Sequence, residues 1–179
     1  MVNLIDLGTF TDDGNIQVVV EMPKGARIKA KYDPTIAAFC YVRPLAAGLA
    51  YPYDWGFVPG TRGADGDPLD AMIFHAAATF PGMVIACRLL GVLQVEQTQD
   101  SKTLRNDRFL FCPAKDPALV GLQAASDLPE RTRRDMEHFF VSATLDTGKE
   151  LTLLGWEDAD TAITGLTAGM RAFEPTSKD

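Results

Sequence analysis

Short runs of β-branched and aromatic residues, broken by glycine, proline and aspartate, fill the first two thirds of this chain. The runs are Ile16–Met22 (IQVVVEM), 38–45 (AFCYVRPL), 69–76 (LDAMIFHA), 83–96 (MVIACRLLGVLQVE) and Arg108–Pro113 (RFLFCP), and all read as strands. Several are apolar on consecutive rather than alternate residues. A strand covered on both faces has that pattern, so the expectation is a closed barrel with something packed outside it. Eleven prolines and fifteen glycines lie mostly between the runs, where tight turns need them.

The last third changes period. SDLPERTRRDMEHFF offers Ser126 or Asp127 as a cap and Pro129 near the first turn, with Leu128, Met136, Phe139 and Phe140 on one side. These signals predict a helix. ELTLLGW (150–156) reads as another strand, and EDADTAITGLTAGMRAF as a second helix weakened by Gly165 and Gly169. No repeat, low-complexity tract or linker interrupts the 179 residues, a length that suits one core. The expected architecture is a single α+β domain over residues 1–179, a small barrel with helices against it.

Charge and composition exclude several classes. A net charge of −7 and a pI near 4.8 give a surface that repels a phosphodiester backbone, so no nucleic-acid partner is expected. The apolar stretches at 37–42 and 83–87 fall well short of the roughly 20 residues of a spanning helix, so no membrane partner is expected either. MVNLIDLGTFTDDGN carries neither a basic start nor an apolar core, which speaks against a secretory signal. Cys40, Cys87 and Cys112 are odd in number, lack a CxxC spacing and sit in apolar runs, as reduced thiols of a cytoplasmic protein do.

The sharpest chemical feature is DGDPLD at 65–70, three carboxylates in six residues at the mouth of a strand. In an arbitrary protein such a stretch is a solvated turn. A calcium loop of the EF-hand type fails, because position twelve is Ala76 rather than glutamate. In a straight strand Asp65 and Asp67 would share one face and Asp70 the other. Pro68 fixes φ and withholds an N–H, so a bend there lets the three converge. Converging carboxylates repel unless a cation sits among them, and hard oxygen donors favour Mg²⁺, which usually brings a phosphorylated ligand. Glu21 closes the first strand, Lys29, Lys31 and Arg43 flank the next hairpin, and YPYDWG (51–56) leads toward the acidic loop. Together they describe a pocket with carboxylates on one wall and cations on the other.

The order VVVEMP, KYDP, a VR pair, YPYDWGFVPGT, DGDPLD, PG-VI-CR-LGVL, then HFF and GKE…GWE resembles the soluble family I inorganic pyrophosphatases over roughly residues 16 to 160. DGDPLDA fits that family's signature without exception. The resemblance implies a five-stranded OB-like barrel with flanking C-terminal helices, Mg²⁺-dependent hydrolysis of pyrophosphate to two phosphates, and a homo-oligomer, commonly a hexamer. By matching motif it makes Asp65 and Asp70 metal ligands, Asp67 the base for the attacking water, and Glu21 a glutamate of the catalytic machinery, linked to the metal or in its outer shell. It makes Arg43 a phosphate clamp and Tyr51 a phosphate-side tyrosine. Lys31 would grip a phosphate, while a gapless alignment onto Arg43 selects Lys29 instead.

The sequence also departs from that pattern. Trp55 stands at a family tyrosine and Asp33 at a glutamate. Where the family has two more metal-binding aspartates and a lysine, Glu96 is the candidate for the first. Asp107 or the neutral Asn106 is the candidate for the second, and Arg108 for the lysine. The Tyr-Lys pair expected after HFF is replaced by Val141-Ser142-Ala143-Thr144, leaving Lys149 as the nearest compensating cation. The thinned phosphate side keeps two alternatives open: a hydrolase of another small phosphoanhydride, or a non-catalytic OB-like module that binds phosphate or nucleic acid.

Overall fold

A computed structural model describes residues 3–145 and 147–175. Nine strands and two α-helices follow in chain order: β1 (Ile16–Met22), β2 (Ile28–Asp33), β3 (Ala38–Pro44), β4 (Asp54–Val58), β5 (Leu69–Ile73), β6 (Val84–Gln99), β7 (Lys102–Arg105), β8 (Arg108–Pro113), α1 (Glu130–Ala143), β9 (Glu150–Glu157) and α2 (Ala159–Ala172). Strands β1, β4, β5, β8 and β6 pair in that order, and β6 pairs back onto β1, so five strands close an uneven ring. Its pairings are antiparallel except β5 with β8. The β2–β3 hairpin forms its own two-stranded sheet.

The consecutive apolar residues of the ring strands are explained by two cores. Met72 of β5 and Leu110 and Cys112 of β8 belong to one, with Met22, Trp55, Leu90 and Leu93. Ala71, Ile73, Phe109 and Phe111, their immediate neighbours, belong to the other with Val18, Val20 and Val58. Helix α1 contributes Met136, Phe139 and Phe140 to the first core, and α2 contributes Ala162 and Leu166 to the second. Each large side chain buried in this way contributes about 1.5–3 kcal/mol.

Glycine sets two of the close approaches. Gly56 of β4 faces Val20 across the β1 ladder, and a Cβ there would stand 1.8 Å from the Val19 carbonyl oxygen. Gly91, with φ +155°, lies at a register shift in β6 against β8. A second shift at Gln94/Val95 bends the same strand against β9. The bent strand closes the ring with its first half and pairs with β7 and β9 along its second.

Gly165 and Gly169 in α2 also have a packing reason. Their faces lie against Phe109 and Leu69, where a Cβ would meet side-chain atoms at 3.2 and 2.6 Å. The Gly169 carbonyl accepts from the Arg62 amide at 2.9 Å, which ties α2 to the segment entering the acidic loop. Asp54 is fully buried and accepts from the Thr79 hydroxyl, from the Lys24 amide, and shares a 2.7 Å bond with His75 Nε2. His75 is therefore a satisfied structural residue. The three cysteines are free.

Candidate active site

The acidic loop is fixed by its own backbone. Gly66 takes φ +89°, Gly63 N donates to the Asp67 carbonyl at 2.7 Å, and Asp67 N donates to Asp65 Oδ1 at 3.1 Å. Leu69 N donates to Thr61 Oγ1 at 3.0 Å, which sets the start of β5. The turn through Pro68 brings Asp65, Asp67 and Asp70 to the wall of one cavity of about 250 Å³. Asp67 and Asp70 also line an adjoining cavity of about 310 Å³, with Glu21, Lys29 and Lys31.

Each of the three carboxylates has a partner from elsewhere in the chain. Lys31 Nζ, at the β2–β3 hairpin, lies 2.6 and 2.7 Å from the two oxygens of Asp67. Arg108, at the start of β8, pairs with Asp70 through NH1, which also donates to Asn106 Oδ1 at 2.7 Å. Asn106 Nδ2 in turn donates to Asp65 Oδ2 at 3.1 Å. The Arg108 guanidinium stands 5.4 Å over the Trp55 ring, which packs edge-on against Phe140.

Electrostatics around this cluster follow from burial. Burial pushes the Glu21 carboxyl up to about 7, Asp70 adding to the rise while the Tyr32 amide bond, Lys29 and Lys31 oppose it. Burial likewise raises the Asp70 carboxyl, with Arg108 and Lys29 pulling it back. The Lys29 ammonium is lowered by burial, against the attraction of Asp70. Burial raises the Tyr51 phenol, so it stays a neutral donor; its ring stacks 4.8 Å from Phe139.

The hairpin register bears on the choice between two lysines. Lys29 stands across from Arg43, and the ladder shifts between Lys29 and Ala30. Lys29 lines both cavities, beside Arg43, Tyr51 and Lys149 in the smaller one, while Lys31 lines only the larger and engages Asp67. Arg43 NH2 donates to the Ala143 carbonyl at 2.6 Å, at the C-terminal end of α1.

Two expected ligands are not brought to the cavities. Asp107 Oδ1 accepts from the Val95 amide at 2.9 Å and Arg105 Nε at 2.6 Å, so its carboxylate is committed to the β6–β7 edge, and Asn106 holds the place beside Asp65. Glu96 is absent from the lining, where its neighbour Gln97 appears instead. Strand alternation gives the reason: adjacent residues point to opposite faces. Thr144 and Thr147 also line the cavity, beyond the end of α1. They supply hydroxyls but no charge, and only the replacement of the Tyr-Lys pair pointed toward them.

The inorganic pyrophosphatase family model matches residues 18–174. The chain belongs to that family. It is 36% identical over 150 residues to the inorganic pyrophosphatase of Synechocystis sp., covering 84% of this chain and 86% of that protein. It is 38% identical over 158 residues to that of Leifsonia xyli, covering 88% and 94%. The crystal structure of inorganic pyrophosphatase from Thermus thermophilus superposes with a TM-score of 0.87 at 29% identity, covering 96% of this chain and 98% of that one. The Helicobacter pylori inorganic pyrophosphatase gives 0.84 at 31% identity, covering 93% and 97%. The ring of five strands with two C-terminal helices is thus the OB-like fold of the pyrophosphatases.

Family I pyrophosphatases are metal-dependent enzymes. The donor chemistry here fits a hard divalent cation, because Asp65, Asp67 and Asp70 present carboxylate oxygens to one cavity. Among the described residues, no three acidic, histidine or cysteine side chains stand close enough together to hold a metal as they are. Lys31 pairs with Asp67 and Arg108 with Asp70 instead.

Proposed function

We propose that this chain hydrolyses inorganic pyrophosphate to two phosphates with Mg²⁺ as its cation. The observation that carries this reading is one cavity with Asp65, Asp67 and Asp70 on one side and Lys29, Arg43, Arg108 and Lys149 on the other. A small, highly charged phosphoanhydride suits that division. Its phosphate oxygens meet the cations, and the carboxylates face the place from which water approaches phosphorus.

Asp65 and Asp70 would hold the Mg²⁺, with Glu21 close by. When bound, the cation neutralises phosphate oxygens and makes a water more acidic. Asp67 takes the proton from the attacking water on a carboxylate oxygen. The water oxygen then bonds to one phosphorus as the bridging P–O bond breaks, and the bridging oxygen leaves with the second phosphate. Lys29 and Arg43 bind the phosphate on the hairpin side, with Tyr51 donating its phenolic proton. Lys149 supplies the cation that the α1 end lacks. Arg108 binds a substrate oxygen through its guanidinium, whose Nε is buried and has no partner among the described residues. Trp55 acts as a positioning residue, its ring fixing the plane of the Arg108 fork.

The same reading carries a cytoplasmic homo-oligomer of single-domain subunits, hexameric by resemblance. Free thiols at Cys40, Cys87 and Cys112 support the compartment, and exposed Ile36, Tyr41 and Phe80 offer apolar surface for subunit contact. Among the described residues, no helix is long and apolar enough to cross a membrane.

The test is phosphate release from pyrophosphate with Mg²⁺, beside a nucleoside diphosphate and a single-stranded oligonucleotide as competitor. The reading expects turnover of pyrophosphate above the nucleotide and no inhibition by the oligonucleotide. Turnover of the nucleotide alone would reassign the substrate, and no turnover in folded protein would leave a binding role.

A further inference from the structure

The acidic cluster of this chain brings its own cations. Lys31 contacts both oxygens of Asp67, Arg108 contacts Asp70, and the amide of Asn106 joins Asp65 to Arg108. At least one oxygen of each carboxylate is therefore already engaged by a group of the protein. Glu21, Asp65, Asp67 and Asp70 face Lys29, Lys31, Arg43, Arg108 and Lys149, so the two walls come close to neutrality with no added ion. A further carboxylate nearby, Asp107, is itself held by the Val95 amide and Arg105.

We propose that Lys31 and Arg108 are resident counter-ions of the Asp65–Asp67–Asp70 cluster, which a divalent cation must displace from the carboxylates before it binds. The inference rests on the reading of this cluster as the cation site and adds what controls its affinity. The two counter-ions differ in mobility. Lys31 is half-exposed on a hairpin strand, so its ammonium can swing into water at little cost. Arg108 is buried, held over Trp55 and bonded to Asn106. Asp67 is accordingly released first, and Asp70 remains paired until its oxygens are pulled from a guanidinium that cannot leave. Metal binding is weak for a cluster with three carboxylates, and Lys31 sets much of the weakness.

The experiment needs no turnover. Mn²⁺ is titrated into metal-free protein and the free ion is followed by its paramagnetic resonance signal, in wild type, Lys31→Met, Lys31→Arg and Lys102→Met. Lys102 lies in the exposed strand β7 and lines neither cavity, so its variant reports loss of a positive charge outside the site. Lys31→Met is expected to bind Mn²⁺ about fivefold tighter than wild type, the effect of removing one well-placed half-exposed charge pair. Lys31→Arg is expected to stay within about twofold of wild type, and Lys102→Met likewise. A Lys31→Met affinity equal to that of wild type or of Lys102→Met would overturn the proposal, as would equal tightening by Lys31→Arg. Thermal melts of all four proteins verify folding. Phosphate release is scored separately: tighter Mn²⁺ without turnover would retain the counter-ions and reject the hydrolase, and turnover with unchanged Mn²⁺ affinity would do the reverse.

Discussion

At the scale of single residues, Glu21 carries a pH signature. Its carboxyl titrates near 7 in the fold against 4.5 as a free side chain, chiefly because of burial. A raised carboxyl means that the folded state holds the proton more tightly than the unfolded one. Stability from this group is full below about pH 4.5 and is lost as pH rises through about 7. The shift corresponds to a loss on the order of 3 kcal/mol. Glu21→Gln keeps an oxygen for the Tyr32 amide and removes the charge. In EDTA, urea unfolding at pH 5 and pH 8 should show wild type losing that much more stability than Glu21→Gln; parallel losses would put the charge elsewhere.

Where chemistry and spacing coincide, the residues singled out in the sequence are ones that the fold brings together. Asp65, Asp67, Asp70, Lys29, Arg43, Tyr51, Trp55, Arg108 and Lys149 all reach the smaller cavity. The choices between Lys29 and Lys31, and between Asn106 and Asp107, depend on a bulge in the hairpin and on the turn between β7 and β8. Neither can be counted in a sequence without the register. Gln97 was overlooked because its amide neighbours a glutamate that looked the better ligand.

At the scale of elements, the ring depends on the approach of β4 to β1. Gly56→Ala would place a methyl group inside the Val19 carbonyl, a backbone clash that no rotamer relieves. The substitution should cost at least about 3 kcal/mol or yield insoluble protein, read from a urea or thermal melt. Unchanged stability would mean that β1 and β4 separate more easily than their ladder implies. Strands rich in apolar residues were legible in the sequence, as were both helices. Three strands were not. β2 (IKAKYD) alternates with charges, β4 (DWGFV) begins with a buried aspartate and contains the glycine, and β7 (KTLR) is exposed throughout. Each owes its existence to partners distant in sequence, which local composition does not report. The glycines of α2 looked like helix weakness and are contact points, because the helix must lie close on Phe109 and Leu69.

At the scale of the whole molecule, a chain with net charge −7 gathers four cations around one cavity, where they face the carboxylates of Asp65, Asp67 and Asp70. A non-hydrolysable diphosphate should therefore stabilise the fold only together with Mg²⁺. At about a hundred times its dissociation constant, imidodiphosphate with Mg²⁺ is expected to add about 2.7 kcal/mol, or roughly 5–10 °C in Tm for a chain of this size. The same shift from imidodiphosphate in EDTA would show that the resident cations bind the anion unaided.

The most direct measurement is phosphate release from pyrophosphate with saturating Mg²⁺, wild type beside Asp67→Asn. Asp67 is half-exposed and its loop is fixed by backbone bonds, so the isosteric change should leave the fold intact. Removal of the base is expected to lower kcat by a factor of about 10² to 10⁴ with little change in Tm. Turnover by folded Asp67→Asn at the wild-type rate would contradict the placement of the chemistry in this cavity.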